Sequence, residues 1–255
     1  MIRRALLIEA GKAKGQKVIE GPAADIRRLR TWFGDQDGGA WNDCEILSLN
    51  NPSPSEVTRA VLGLSGVDYA FVSFSGHGYI QENARTGSRT QKIILGTGDE
   101  MDFAALRPNV DKCLLVCDAC REVHKVFWMA EARLSHVPVK LARKRYTRES
   151  YRLWFEAAIT QAAAGAFRMY GCRPTQVCYE DPLEGGFFTS SLIDSAASWV
   201  DSATGHGCLL AQEVLTLAAN RVSLLAHGKN PAQLPSGGGE DRSGRNAFPF
   251  AVALV

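Results

Sequence analysis

The 255 residues are enough for one large α/β domain or two small ones, and 45% hydrophobic with 22% charged residues is a normal globular balance with a sizeable core. A formal net charge of +2 gives no reason to expect nucleic acid. Seven cysteines, an odd number without small-domain spacing, argue against a disulfide framework, and no apolar stretch approaches the ~18 residues needed to cross a membrane.

Arg4 to Ile8 reads as the first strand, and Gly11 to Gly21 as a loop rich in Gly and Lys. Pro22 starts a helix through Phe33, with Ile26, Leu29, Trp32 and Phe33 on one face. Cys44 to Leu49 is the second strand. Ser53-Pro54-Ser55-Glu56 carries an N-cap and Pro at N1, so a helix follows to about Leu64. The apolar run Tyr69-Ala70-Phe71-Val72-Ser73-Phe74 is the third strand and ends at His77. Lys92 to Leu95 is a short β run, Asp102 to Leu106 a helical turn, and Val110 to Cys117 the fourth strand. Residues 121 to 150 have no clean period and read as a long exposed connection, partly helical around Val123 to Ala132. Tyr151 to Ala164 is helical and Ala166 to Gly171 the fifth strand. Gly186 to Val200 and Cys208 to Leu225 are amphipathic helices. Lys229 to Asn246 is a Pro/Gly/Ser loop, and Phe248 to Leu254 a final strand. Strands alternating with helices imply a mostly parallel sheet with helices on both faces, in a single domain without repeats. Met1-Ile2-Arg3-Arg4 leads directly into the first strand, too brief a run for a targeting segment, so we expect a cytoplasmic protein with free thiols.

Two strand ends carry the chemistry. The third runs into Ser75-Gly76-His77-Gly78, and the fourth into Asp118-Ala119-Cys120-Arg121, 43 residues after the histidine. Parallel strands finishing side by side bring His77 and Cys120 to one sheet edge, where open α/β folds place ligands. A thiol beside an imidazole is a workable nucleophile and base, held partly as thiolate. The N–H groups of Cys120 and Gly78 could bind an oxyanion. Each residue also has a plainer reading, His77 as a strand-end turn and Cys120 as a buried structural thiol like Cys113 and Cys117.

With those motifs in this order, the sequence resembles the caspase-like cysteine peptidases, metacaspases and bacterial caspase homologues in particular. Phe74-Ser75-Gly76-His77-Gly78 and Asp118-Ala119-Cys120-Arg121 carry the likeness. Gly186-Phe187-Phe188-Thr189-Ser190-Ser191-Leu192 and Asn230-Pro231-Ala232-Gln233 extend it more softly. The resemblance implies a three-layer α/β/α sandwich and peptide-bond hydrolysis by a His77/Cys120 dyad. One departure is Glu122, where many relatives have Gly two residues after the nucleophile. The resemblance also implies that Asp118 lines the pocket for the residue before the scissile bond. A second acid there is Asp25, in Gly21-Pro22-Ala23-Ala24-Asp25-Ile26. Two such carboxylates select Arg or Lys. The plainer readings are a turn cap for Asp118 and a first-turn helix acid for Asp25.

Residues 121 to 152 hold nine Lys/Arg and three Glu, a local net of +6 against −4 for the rest. Arg133, Lys140, Arg143, Lys144, Arg145 and Arg148 lie where caspase relatives are often cut in two, so an enzyme selecting basic residues could process itself there, or an activating protease could. A solvated basic face is the plain alternative. The expected partners are protein substrates with Arg or Lys at the cut, with no nucleic acid and no membrane. The type of homologue points to bacterial stress or conflict signalling. Two rivals remain, a thiol-disulfide oxidoreductase using Cys117 and Cys120 as a CxxC, and an inactive caspase-like scaffold. A zinc site from Cys117, Cys120, His124 and Cys172 or Cys178 matches no strong spacing. The hydrolysis requires no cofactor. Some metacaspases use calcium, for which Asp99, Glu100 and Asp102 are candidate oxygens and equally an ordinary acidic turn.

Overall fold

Three apolar runs form the centre of the molecule because their side chains are buried on both faces, the pattern of interior parallel strands. In the computed structural model, which describes residues 1–123, 146–229, 232–240 and 247–255, these are β1 (Arg3–Ala10), β3 (Tyr69–Gly76) and β7 (Lys112–Asp118). Between them, in chain order, lie α1 (Gly21–Gly34), β2 (Ile46–Asn50) and α2 (Pro54–Leu62), then a small sheet of β4 (Gly78–Glu82), β5 (Arg89–Ile94) and β6 (Glu100–Asp102). After β7 come α3 (Arg148–Gln161), β8 (Gly165–Tyr170), a short hairpin of β9 (Glu180–Asp181) and β10 (Gly185–Gly186), and α4 (Phe187–Ser202). β11 (Gly207–Leu210), α5 (Ala211–Leu225), β12 (Ser236–Gly239) and β13 (Pro249–Ala253) complete the chain.

The main sheet has the order β12-β8-β7-β3-β1-β2. Every pair is parallel except β12 against β8. Alternation divides the buried side chains between the two faces. Leu7, Phe71, Leu114, Val116 and Met169 join the side chains of α1, α3, α4 and α5. Leu6, Ile8, Val72, Phe74, Leu115 and Cys117 face the other way, onto Val57 of α2, onto Phe103 and Leu106 of a 3-10 turn, and onto Ile93 of the small sheet. The result is the expected α/β sandwich, with one layer thick and helical and the other thin.

Local chemistry sets most of the boundaries. Ser53 Oγ accepts the Glu56 N–H at 3.4 Å while Glu56 Oε2 accepts the Ser53 N–H at 2.8 Å. This capping box, worth about 1 kcal/mol, fixes the start of α2. α3 begins at Arg148 rather than Tyr151, because Thr147 Oγ1 accepts the Ser150 N–H at 3.2 Å and caps it. Three features depart from expectation. The segment after His77 forms β4, paired antiparallel with β5. Gly207–Leu210 is a strand against β13, so the helix that was to begin at Cys208 begins at Ala211, and the final strand pairs with β11 outside the main sheet. The glycine loop contains β12, the antiparallel edge of the main sheet.

Candidate active site

The register of β3 and β7 assembles the site. Ser75 stands opposite Asp118 in the parallel ladder, so His77 and Cys120, each two residues further on, leave neighbouring strands at the same level. This is the carboxyl edge of the sheet, next to the strand end of β1.

His77 is buried, and its Nε2 lies 2.7 Å from the Lys17 carbonyl in the loop after β1. A carbonyl only accepts, so Nε2 carries the proton and Nδ1 is the basic nitrogen of the neutral ring. Burial lowers the His77 pKa below its ordinary 6.5, and the nearby Lys17 ammonium adds to this, while the bond to the Lys17 carbonyl opposes it. The ring therefore rests neutral at pH 7.

Cys120 is half-buried. Its sulfur accepts the Cys178 N–H at 3.4 Å. Burial pushes the thiol up to about 12, with Cys172, Glu122 and Asp118 nearby adding to the rise. The resting sulfur is thus a neutral thiol rather than the partial thiolate expected from a neighbouring histidine. Its proton has to leave during attack, and Nδ1 of His77 is the base type that can take it.

Gly78 starts β4 beside this turn. A Cβ there would lie 2.7 Å from the Lys92 carbonyl and 3.0 Å from Ala119 Cβ, so only glycine lets β4 pass this close to the Cys120 turn. Glu122, the departure noted in the sequence, binds through its backbone, while its buried Oε2 has no hydrogen-bond partner among the described residues and burial raises its carboxyl. Its carbonyl accepts the Ile80 N–H at 2.8 Å.

The two acids come together near the ends of β3 and β7, although 93 residues separate them. Asp25 and Asp118 are both buried. Asp25 accepts from Ser75 Oγ at 2.5 Å and from Gly186 N–H at 2.8 Å. Asp118 accepts from Thr189 N–H at 2.9 Å and Thr189 Oγ1 at 2.8 Å. Gly185 and Gly186 bring the β9–β10 hairpin onto the pair. A Cβ on Gly185, whose φ is +97°, would meet Asp25 Oδ1, and one on Gly186 would meet Asp118 Oδ2. Burial raises both carboxyls, Asp25 to well above the usual carboxylate range, and the charge of Asp118 raises Asp25 further. Among the described residues no Lys or Arg pairs with either. Arg28, the cation that acts on Asp25 from a distance, is engaged by Glu184 and Asp194. Asp25 stands in the second turn of α1, not the first, so the helix dipole does not explain it.

Ser75 and Thr189 are the polar partners that sequence reasoning missed. Both lay inside quoted motifs, Ser75 at the strand end and Thr189 in the first turn of α4, but nothing local says that their hydroxyls face acids from other elements. Gln233 of the Pro-Gln segment also binds here. It accepts the Tyr179 N–H and donates to the Gly171 carbonyl, both at 2.9 Å. Asn230 and Pro231 lie outside the described residues, as do His124, Arg133, Lys140, Arg143, Lys144, Arg145 and all but the first residue of the helix expected around Val123 to Ala132. Arg148 is not in an open connection. It sits in the first turn of α3 and donates to the carbonyls of Gly34 and Trp41.

The rival chemistries fit less well. All seven cysteines are free, and Cys117 is pushed well above its ordinary range by burial, the reverse of the acidic thiol that a CxxC oxidoreductase needs. Among the described residues no group of three or more His, Cys, Asp or Glu is placed to hold a metal ion. Glu100 accepts from Tyr79 Oη at 2.6 Å, Asp102 pairs with Lys92 and Asp99 accepts from Thr97 Oγ1 at 2.8 Å, so the three candidate calcium ligands are turned to separate partners. No helix among the described residues is long and apolar enough to cross a membrane.

A parallel sheet between helical layers, with an imidazole and a thiol leaving adjacent strands at its carboxyl edge, defines a caspase-like α/β sandwich. A family model of the caspase domain matches residues 2–237, and the chain belongs to that family of cysteine peptidases, whose substrates are proteins. The match ends in β12, before β13. No curated protein matches the chain.

Proposed function

We propose that this protein is a cysteine endopeptidase that cuts after Arg or Lys. Cys120 attacks the scissile carbonyl while Nδ1 of His77 takes the thiol proton. The N–H groups of Gly78 and Cys120 receive the developing oxyanion. His77 then protonates the leaving amine, and afterwards activates the water that releases the acyl group. Lys17, through its carbonyl, keeps the ring in the tautomer these steps need. Asp118 and Asp25 bind the basic side chain, oriented by Thr189 and Ser75.

The observation that carries the specificity is the unmatched acid pair. Two buried carboxyls with raised pKa and, among the described residues, no cation paired with them are an incomplete ionic site. A guanidinium or ammonium entering between them allows both to ionise, whereas an acidic side chain would add a third like charge. Cation binding should therefore expel a proton. We also propose that the protein is activated by cleavage in the basic connection at about 121–150, by this activity or by an activating protease.

The test is a purified wild type beside Cys120→Ala, each given fluorogenic peptides ending in Arg, Lys or Asp. The expected result is turnover of the Arg and Lys peptides by wild type alone. Equal turnover by the two proteins would remove Cys120 as nucleophile, and preference for the Asp peptide would remove the acid pair as the specificity site. Intact mass of each protein after incubation reads out cleavage within about 121–150.

A further inference from the structure

The nucleophile turn is held by a buried side chain from a different sheet, Gln91 of β5. Its Nε2 donates to the Cys120 carbonyl at 3.2 Å and to the Lys92 carbonyl at 3.0 Å, and its Oε1 accepts from Arg121 Nε at 3.0 Å. The same amide lies beneath Gly78, since a Cβ on that residue would be 3.1 Å from Gln91 Nε2. One side chain thus touches both segments whose N–H groups are assigned to the oxyanion. Arg121 is itself fixed. It lies over the Tyr170 ring at 4.0 Å, donates to the Cys172 carbonyl at 3.2 Å, and its N–H donates to the Gln176 carbonyl at 2.9 Å.

Peptide planarity gives these contacts their consequence. Each peptide unit is flat and trans, so its carbonyl and N–H point in opposite directions, and holding one aims the other. The plane after Cys120 is held by Gln91 on its carbonyl and by Gln176 on the Arg121 N–H. The plane before it is held by Cys178 Sγ, 3.2 Å from the Ala119 carbonyl. The Cys120 N–H lies in the plane before, so the Ala119 carbonyl contact aims it directly, and Gln91, by fixing the plane after, limits how far rotation about the Cys120 Cα can turn it. An oxyanion hole depends on that alignment existing before charge develops.

We propose that Gln91 is a positioning residue for the oxyanion site, tying the Cys120 turn to the Gly78 strand so that their two N–H groups converge. The inference rests on the reading of Cys120 as nucleophile. Gln91 touches no substrate and acts only through the backbone of Cys120 and Gly78.

The experiment uses the full chain as wild type, Gln91→Met, Gln91→Glu and Cys120→Ala, with an Arg-ended fluorogenic peptide and a peptidyl-argininal inhibitor. An aldehyde binds as a tetrahedral adduct whose oxyanion occupies the hole, so it reports that site directly. Methionine fills similar space with neither donor nor strong acceptor. Glutamate keeps an acceptor for Arg121 but cannot donate to the Cys120 carbonyl. Both variants are expected to lose kcat by about ten- to a hundredfold, somewhat less than the loss of a direct oxyanion donor. KM should stay within about twofold, and aldehyde inhibition should weaken in step with kcat. A merely structural role would lower Tm and leave kcat per folded molecule and aldehyde affinity unchanged. Wild-type kcat and aldehyde affinity in either folded variant would overturn the proposal, and Gln91→Glu decides if Gln91→Met does not fold. Wild-type turnover no greater than that of Cys120→Ala would instead overturn the nucleophile assignment beneath it.

Discussion

Two buried ionic clusters lie at opposite ends of β1, and they differ in what surrounds the charge. At the amino end Arg3 is buried against the Trp41 ring at 4.5 Å, with Glu45 at 3.9 Å and Glu156 at 3.7 Å. Its guanidinium donates to the Gly39 and Ala40 carbonyls, and Arg152 pairs with the same two glutamates. Two cations meet two anions there. Bonds from Arg152 and Asn42 hold Glu45 below its ordinary pKa, although burial acts against them. At the carboxyl end Asp25 and Asp118 meet hydroxyls, the Cys178 thiol and backbone N–H groups but, among the described residues, no paired cation, and both are raised. Both ends give up hydration to bury charge. The matched cluster balances its charges and holds α3 to the β1 end of the sheet, although burial and the neighbouring Arg152 still lower Arg3 to about 10, whereas the acid pair has no balancing cation among the described residues. That asymmetry supports the proposed reading of the acid pair as the site for a cationic side chain.

The comparison can be broken most sharply by neutralising each end. Arg3→Met should destabilise the fold by about 3–5 kcal/mol, because Glu45 and Glu156 lose a buried partner, while the folded fraction keeps its turnover. Asp118→Asn should do the reverse, costing about 2–5 kcal/mol in kcat/KM for an Arg peptide with no loss in urea midpoint. An Asp118→Asn enzyme with unchanged kcat/KM would show that the acid pair does not bind substrate. Binding of an Arg peptide to Cys120→Ala should release protons, read as a buffer-dependent enthalpy in calorimetry. Identical enthalpies across buffers would mean that the pair is already ionised.

Smaller effects concern pH. The folded pKa of Asp25 lies above its unfolded value near 4, so in that interval the unfolded chain has lost the proton and the folded chain keeps it. Stability contributed at this residue therefore falls as pH rises from about 4 towards the raised value. Asp25→Asn should remove that decline, since Oδ1 can still accept from Gly186 while the amide donates to a rotated Ser75 hydroxyl. Glu45 has the opposite sign. Its contribution is present above the ordinary carboxylate range and disappears as pH falls through its lowered pKa, so Glu45→Gln should flatten the acid limb of a urea-midpoint profile. In activity, the acid limb of kcat/KM should lie below 6.5 because burial lowers His77, and a thiol limb should be absent until about 12. The smallest effect is expected of Cys117→Ala. It should leave peptidase turnover intact at a modest loss of stability, and abolished turnover would revive the CxxC chemistry.

What was legible in the sequence was whatever local pattern decides. Continuous apolar runs marked β1, β3 and β7 because an interior parallel strand needs apolar side chains on both faces. Ser53-Pro54-Ser55-Glu56 marked the start of α2 because its cap is built within four residues. β12 was not legible, since Gly237 to Gly239 offer no side-chain pattern and pair with β8 through the backbone alone. β4 was missed for a related reason. Its alternation is cut short at Gln81 and Glu82, and its stability comes from pairing with β5.

The chain by itself determined the order His77 then Cys120 at two strand ends, and with it the family, because strand apolarity and glycine-flanked motifs are written in consecutive residues. Only the tertiary structure decided that Ser75 stands opposite Asp118, that Asp25 from α1 reaches the same buried space, and that Gln91 crosses from a second sheet to hold the Cys120 carbonyl. Register and long-range side-chain contact depend on how separate elements pack, and no run of neighbouring residues encodes that.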